Sequence, residues 1–284
     1  MNILVTGSTG QLGDEISKLS SKYAKYNFTF KSRNDLDISD SKLLDEIIAN
    51  SKIEIIINCA AYTDVENAEM DKENADIINN ISVDRIAKIC SDRRVRLIHI
   101  STDFVFDGKK NEPYTENDYT NPLNYYGISK LNGEKNISKY SNLSKSIIIR
   151  TSWLYSNKKN NFVSKILNKI NYGHDIYINS EEFGSPTNAK DLAELILSII
   201  PKLNNEETEI YHFSNSGICS RFDFANEIIN ISNSKSQVYY NKLKSNKVER
   251  PKYSALDTNK ISNDFKINIK HWKESLRDHL NQLN

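Results

Sequence analysis

The sequence predicts an α/β protein built on a Rossmann-type doubly wound parallel sheet, with a smaller mixed α/β region after it. Three observations lead there. Short β-rich runs alternate with longer helical patterns over the first 150 residues, the signature of a parallel sheet with helical crossovers. A glycine-rich turn joins the first run to the first helix, and beyond Thr151 the alternation loses its regularity.

The elements follow in order. Asn2–Thr6 reads as a strand and Gln11–Lys22 as a helix; Asn27–Phe30 is a second strand and Lys42–Asn50 a second helix. Ile53–Asn58 (IEIIIN) is a continuous apolar run, as expected of a strand covered on both faces. Ile77–Ser91 is helical and Val95–Ser101 a strand; after the turn signal Asn121-Pro122, Tyr125–Lys139 is a helix and Ser146–Arg150 a strand. Further on, Phe162–Asn171, Ala189–Ile199, Phe222–Ile231 and His271–Leu283 read as helices, with short strands near Ile176–Ile178 and Ile210–Phe213. The expected division is a nucleotide-binding domain over 1–150 and a second region over 151–284, some segments of which return to the first domain.

Composition excludes several classes. The 38 basic and 37 acidic side chains leave a formal charge of +1, which gives no reason to expect a nucleic-acid partner or a polybasic membrane anchor. No apolar run approaches the ~20 residues a membrane span needs, and Met1-Asn2-Ile3-Leu4-Val5 enters Thr6-Gly7 without the basic region of a secretory signal. Cys59, Cys90 and Cys219 are odd in number and lack CxxC spacing. No disulfide framework or zinc site is therefore expected, and a reducing cytoplasm is.

Glycine is scarce, 9 residues in 284, yet Gly7, Gly10 and Gly13 fall within seven residues at the first strand-to-helix junction. Such a turn permits close backbone approach to a pyrophosphate, which then sits at the positive end of the helix. The spacing is GxxGxxG. A site selective for NAD commonly has a carboxylate at the end of the second strand. Here that stretch reads Phe30-Lys31-Ser32-Arg33 with no acid until Asp35 and Asp37. Lys31 and Arg33 are suited to the additional phosphate of NADP, so NADPH, or use of both NADPH and NADH, is expected.

Tyr126-Gly127-Ile128-Ser129-Lys130 sets a phenol and an ammonium four residues apart on a predicted helix, facing the same way. A tyrosine near its ordinary pKa of ~10 is a weak acid, and a neighbouring cation is expected to lower it. Upstream, Ser101-Thr102-Asp103 stands at the carboxyl end of a predicted strand, where ligands bind in open parallel sheets. The glycine turn, the Thr102 hydroxyl and the Tyr126/Lys130 pair together form a set able to deliver hydride and proton to a carbonyl. Asn79, on the helix between, is a candidate water or backbone link to Lys130, or else a residue pointing outward.

These residues resemble the short-chain dehydrogenase/reductase superfamily, and within it the dTDP-4-dehydrorhamnose reductase family. The resemblance runs almost end to end: NILVTGSTGQLG, NCAAYTDVENAE (58–69), ISTDFVFDG (100–108), PLNYYGISKLNGE (122–134), RTSWLY (150–155), NNF (160–162), FGSPT (183–187) and RPKYSALDTNKI (250–261). It implies that Gly10, Gln11 and Leu12, within the turn set by Gly7, Gly10 and Gly13, cradle the cofactor pyrophosphate, and that Asp37 and Ile38 border the adenine; Arg33 stays the candidate for the NADP phosphate on its own position, with a solvated loop residue as the alternative. Ala61, Tyr62, Thr63 and Ile100 would line the path to the nicotinamide. Tyr126 would be the proton donor, Lys130 would hold the nicotinamide ribose, and Thr102 and Asp103 would contact the sugar near its carbonyl. Trp153 would pack on the sugar face, although a tryptophan just past a strand is equally at home in a core. Arg250 is a candidate diphosphate clamp, with a surface loop arginine as the alternative.

The implied reaction is reduction of a dTDP-4-keto-6-deoxy sugar to dTDP-L-rhamnose, in a monomer or homodimer. Tyr62 and Phe104 stand where relatives often carry His and Tyr. Some relatives join subunits through magnesium-binding glutamates, and Glu15 fits one such position; its partners do not follow, so no metal is expected. Two other readings stay open. One is another extended short-chain nucleotide-sugar enzyme, although Thr102-Asp103-Phe104 lacks the second acid common in dehydratases. The other is a cofactor-binding regulatory subunit without turnover.

Overall fold

The structure, a computed structural model, describes residues 1–141, 145–178, 181–240 and 248–283. Six parallel strands form the central sheet: β1 (Asn2–Thr6), β2 (Asn27–Lys31), β3 (Ile55–Asn58), β4 (Arg96–Thr102), β5 (Ile147–Thr151) and β6 (Glu209–His212). Their order is β6-β5-β4-β3-β1-β2, and every pairing is parallel. The chain moves one way from β1 to β2 and the other way from β1 to β3, so the reversal falls between β1 and β3. In open parallel sheets ligands bind at the carboxyl edge of such a reversal.

Alternation along the strands builds a core on each face. Ile3, Val5, Ile55, Ile57, Ile98, Ile147 and Ile149 face one core, shared with the helices α1 (Gln11–Leu19) and, further along the chain, Ala189–Ile199. Leu4, Ile56, Leu97 and Ile148 face the other, closed by α2 (Ser41–Asn50), α3 (Ser82–Arg93) and α4 (Tyr125–Ser138). The apolar run at β3 is thus buried on both sides. Later helices are α5 (Phe162–Asn171), α6 (Ala189–Ile199), α7 (Arg221–Ile231) and α8 (Trp272–Asn281).

Past β5 a third core gathers Tyr155, Val163, Ile166, Ile176, Phe224, Ile228, Trp272 and Leu276. Three two-stranded pieces rim it: Leu154–Tyr155 with Thr187–Asn188, Phe183–Gly184 with Cys219–Ser220, and Ile176–Ile178 with Val238–Tyr240. Strand β6 and helix α6 come from beyond residue 150 yet belong to the first sheet and its core.

Two helices differ from the sequence expectation. The first ends at Leu19 and continues as a 3-10 turn over Ser20–Tyr23. The segment expected to be one helix from Ile77 contains a π-helical stretch over Ile77–Ile81 before α3. Here the carbonyl of Asn79 presses on Gly133 of α4 so closely that a Cβ has no room. Among the described residues, no helix is long and apolar enough to cross a membrane.

α4 is held by polar groups on its buried side. Glu134 receives Arg150 of β5 at 2.7 Å and the Ser101 hydroxyl of β4, with both charged side chains 3% exposed. Removing one member leaves a buried charge unpaired, at a cost of about 3–5 kcal/mol. Glu134→Ala is therefore expected to lower unfolding free energy by that amount in urea titration, far more than an exposed carboxylate truncation.

Candidate active site

The glycine turn is compressed beyond what other residues permit. Gly7 adopts φ +63, and a Cβ there would lie 2.7 Å from the Ala60 amide nitrogen; a Cβ on Gly13 would lie 2.5 Å from the Gly7 carbonyl oxygen. The turn therefore touches the loop after β3 backbone to backbone. Gly10 begins α1 without any side-chain cap, which leaves the first-turn N–H groups for an anion. These features fit a dinucleotide pyrophosphate. Gln11 bridges away from the turn, donating to Leu154 O (3.4 Å) and accepting from the Ser156 hydroxyl (3.1 Å). Leu12 and Ile38 are buried in the core, so any contact they make with a cofactor uses backbone or a core edge. Arg33 is exposed and lies 3.7 Å from Asp37; Asp37 accepts from the Ser39 amide and hydroxyl, which hold its carboxyl below the usual range. No carboxylate closes β2 itself.

Asn79 is buried, and its amide is fully committed. Its oxygen accepts from Tyr62 N (2.9 Å); its nitrogen donates to Tyr62 O (2.9 Å) and to the Ser129 hydroxyl (3.0 Å). The suggested links to Lys130 are replaced by a clamp: Asn79 ties the Ala61-Tyr62-Thr63 loop to α4. Ser129 in turn donates to the Tyr126 carbonyl (2.8 Å).

α4 starts where the site needs it. Asn124 caps it, accepting from Gly127 N (2.9 Å) while donating to Glu249 O (2.9 Å). At Gly127 a Cβ would collide with the Phe104 carbonyl oxygen, so the helix abuts the turn after β4 and Tyr126 comes up beside Thr102. The Phe104 ring meets the Tyr126 ring edge-on at 5.7 Å. Burial pushes the Tyr126 phenol up to about 12; the Thr102 hydroxyl draws it down and the Asp103 charge raises it. This departs from the expected lowering by Lys130, whose amine instead donates to Ile100 O (2.7 Å) and lies 3.2 Å from His99 Nε2. Burial brings Lys130 down to about 8, against the pull of Glu134 and Cys59. A phenol that keeps its proton at neutral pH is the form a proton donor requires.

On the other side of Thr102 lies a second polar group. Asp103 is buried and accepts from the Thr102 hydroxyl (3.1 Å), and the Ser254 hydroxyl also stabilises its charge. Burial raises it to about 6. Trp153 holds a left-handed backbone, φ +46, a strained state for a bulky residue. Its indole lies against Gly184, where a Cβ would come within 2.7 Å, and under the Arg221 guanidinium at 3.5 Å. Arg250 pairs with Glu66 at 2.9 Å, and among the described residues its buried Nε has no hydrogen-bond partner. Sequence reasoning missed Arg221, which also lies 3.4 Å from Glu182; its only signal was its place after the Ser220 cap. His99 was missed too, although it is a polar break in the apolar strand LIHIS.

Together, a parallel sheet with its crevice at the β1/β3 reversal and a Thr/Tyr/Lys group beside a glycine turn define an extended short-chain dehydrogenase/reductase. The family model described as "RmlD substrate binding domain" matches residues 1–284. The chain is 36% identical to the spore coat polysaccharide biosynthesis protein SpsK of Bacillus subtilis (strain 168), over 99% of this chain and 97% of that protein. It is 33% identical to the dTDP-4-dehydrorhamnose reductase of Escherichia coli (strain K12), over 100% of this chain and 98% of that one. The crystal structure of dTDP-4-dehydrorhamnose reductase from Bacillus anthracis in complex with NADP matches with a TM-score of 0.93 at 31% identity, covering 99% of each chain. The chain belongs to the dTDP-4-dehydrorhamnose reductase family.

Two predictions arise from this geometry. Gly127→Ala must move α4 off the Phe104 carbonyl; a displacement near 1 Å is expected to lower kcat on the order of 100-fold, with far-UV circular dichroism unchanged. The second concerns acid. Burial lowers His212 to about 3 and His279 to about 4, and lowers His99 well below its usual value. The unfolded chain then binds protons near pH 6.5 that the native state refuses, so stability falls as pH drops from 6.5 toward 4, about 1.4 kcal/mol per unit per histidine. Asp103, raised to about 6, and Glu116, also raised by burial, act oppositely below that pH, whereas Asp37 and Asp45, held low by their partners, act with the three histidines. The urea midpoint is expected to be lower at pH 4.5 than at pH 6.5.

Proposed function

We propose that this chain reduces the 4-keto group of dTDP-4-dehydro-6-deoxy-L-mannose with NADPH, giving dTDP-L-rhamnose for surface polysaccharide synthesis. The observation that carries the reading is the close approach of Gly127 to the Phe104 carbonyl, which brings Tyr126 beside Thr102 at the carboxyl edge of the sheet, the edge on which the glycine turn also lies. The names of its relatives support the sugar, and a relative's complex with NADP supports the cofactor. Lys31 and Arg33, with no acid closing β2, favour NADPH over NADH.

The glycine turn and the uncapped start of α1 hold the dinucleotide pyrophosphate, with Gly7, Gly10, Gln11, Leu12 and Gly13 in contact. Arg33 meets the ribose phosphate, and Asp37 and Ile38 border the adenine. Ala61, Tyr62, Thr63 and Ile100 line the path to the nicotinamide, which supplies a hydride from its reduced ring. Tyr126 donates a hydrogen bond to the carbonyl oxygen of the sugar, and the Thr102 hydroxyl, turning from Asp103, donates a second. As negative charge builds there, Tyr126 hands over its proton, and Lys130 turns its ammonium toward the ribose and the phenol. Asp103 accepts from a sugar hydroxyl. Trp153 covers one face of the ring, and Arg250 meets the diphosphate in the bidentate manner suited to guanidinium. The three free cysteines fit a reducing cytoplasm, and the assembly is a monomer or homodimer.

The test is NADPH oxidation at 340 nm with dTDP-4-keto-6-deoxy-L-mannose and identification of the product by NMR. Tyr126→Phe is expected to lower kcat at least 100-fold while NADPH still binds, measured by fluorescence titration. Cofactor binding by the wild type without oxidation on any dTDP-4-keto sugar would favour the regulatory-subunit reading.

A further inference from the structure

His99 is completely buried in the middle of β4, between the end of β3 and α4. One ring nitrogen faces Asn58, with Nδ1 at 3.1 Å from Asn58 Nδ2; the other faces Lys130, with Nε2 at 3.2 Å from Nζ. Both neighbours are nitrogen donors in their ordinary states, whereas a neutral imidazole has only one acceptor.

The orientation of Asn58 decides which nitrogen that is. Its side-chain oxygen accepts from the Thr6 hydroxyl at 2.6 Å and from the Ala60 amide at 3.3 Å. A flipped amide would set its NH2 against the Ala60 N–H. Asn58 therefore presents its NH2 to His99, Nδ1 is the bare nitrogen, and the ring proton sits on Nε2, pointing at Lys130. A second ring proton is disfavoured, because burial and the Lys130 charge hold the imidazole well below its usual range. An Nε2–H is well matched to the lone pair of a neutral amine and badly matched to an ammonium.

We propose that His99 is a positioning residue for the reductase reaction: locked in its Nε2–H form by Asn58, it disfavours the lysine ammonium in the inner position and turns it toward the crevice. The inference rests on the reading of Lys130 as part of the reductase site. Lys130 then has two stations. As a neutral amine it accepts from His99 Nε2–H and donates to Ile100 O. As an ammonium it leaves the imidazole and turns toward Tyr126, one turn before it on the same helix.

Other charges bear on the same amine. Glu134, one turn along α4, raises its proton affinity but is itself engaged by Arg150 of β5; Cys59, just past β3, is a neutral thiol where Lys130 titrates, because burial pushes it up to about 12. Tyr126 lies one turn before it on α4, with Asp103 beyond. None of these has a fixed N–H aimed at Nζ. The arrangement also connects three strands: Thr6 on β1 orients Asn58 on β3, which orients His99 on β4, which meets Lys130.

The experiment is NMR titration of Lys130 in protein carrying 13Cε-lysine, with Lys130→Arg to assign the signal, in wild type, His99→Gln and Asn58→Ala. Glutamine can turn a carbonyl oxygen to the amine, and loss of Asn58 frees the imidazole to move its proton to Nδ1 and accept from Lys130. In both variants the Lys130 midpoint is expected to rise by at least one pH unit, a tenfold gain in proton affinity. The alkaline limb of kcat is expected to move up with it. Should His99→Gln fail to fold, Asn58→Ala carries the test. An unmoved or lowered midpoint overturns the proposal, whatever the melting temperature does. A raised midpoint in protein that reduces no 4-keto sugar would leave the His99 assignment standing and remove the reductase reading.

Discussion

The site depends on burying a polar helix face. α4 carries Ser129, Lys130, Glu134 and Asn136 on the side turned into the protein, where an ordinary surface helix would carry an apolar stripe. Such burial is tolerable only when every group finds a partner. Ser129 meets Asn79, Lys130 meets Ile100 O and His99, Glu134 meets Arg150 and Ser101, and Asn136 meets Asn80. Buried ion pairs contribute little net stability compared with apolar packing. Here they supply a fixed rotation and height for the helix. An apolar stripe could slide by a fraction of a turn; a Glu134 carboxylate gripped by a guanidinium and a hydroxyl cannot.

Two close backbone approaches complete the constraint. At Gly127 the helix start meets the turn after β4, and at Gly133 its middle meets the π-helical stretch that holds Asn79. Tyr126 is thereby referenced to Thr102 and to the Tyr62 loop at once. The glycine turn is fixed in the same manner, because Gly7 lies against Ala60 at the β1/β3 reversal. The region past β5 is joined to this frame at several points. Asn124 donates to Glu249 O, Gln11 bridges to Leu154 and Ser156, and Arg250 pairs with Glu66. Trp153, strained and stacked under Arg221, packs against Gly184 in this region.

Much of this was legible in the residues. The five strands up to Thr151 and the long helices announce themselves by apolar runs and periodicity. Gly7, Gly10 and Gly13 stand out because glycine is rare elsewhere in the chain. Tyr126 and Lys130 were legible as a motif, yet the tuning of Tyr126 was not, because the orientation of Lys130 depends on His99 two strands away from the glycine turn. Asn79 read as a helix residue of uncertain facing, since a π-helical stretch shifts side-chain directions off the α-helical wheel. The two-residue strand pairs had no local pattern to betray them; they exist through contacts between segments distant in sequence.

The central claim, that the glycine turn and the Thr102/Tyr126/Lys130 group face one another across a single reacting carbon, is tested most directly by isotope transfer. NADPH deuterated at the transferable C4 position would be incubated with the protein and the keto sugar, and the product read by proton NMR. The account predicts one deuterium at C4 of the sugar and none elsewhere. Product formed without deuterium at C4, or with the label lost to water, would contradict it.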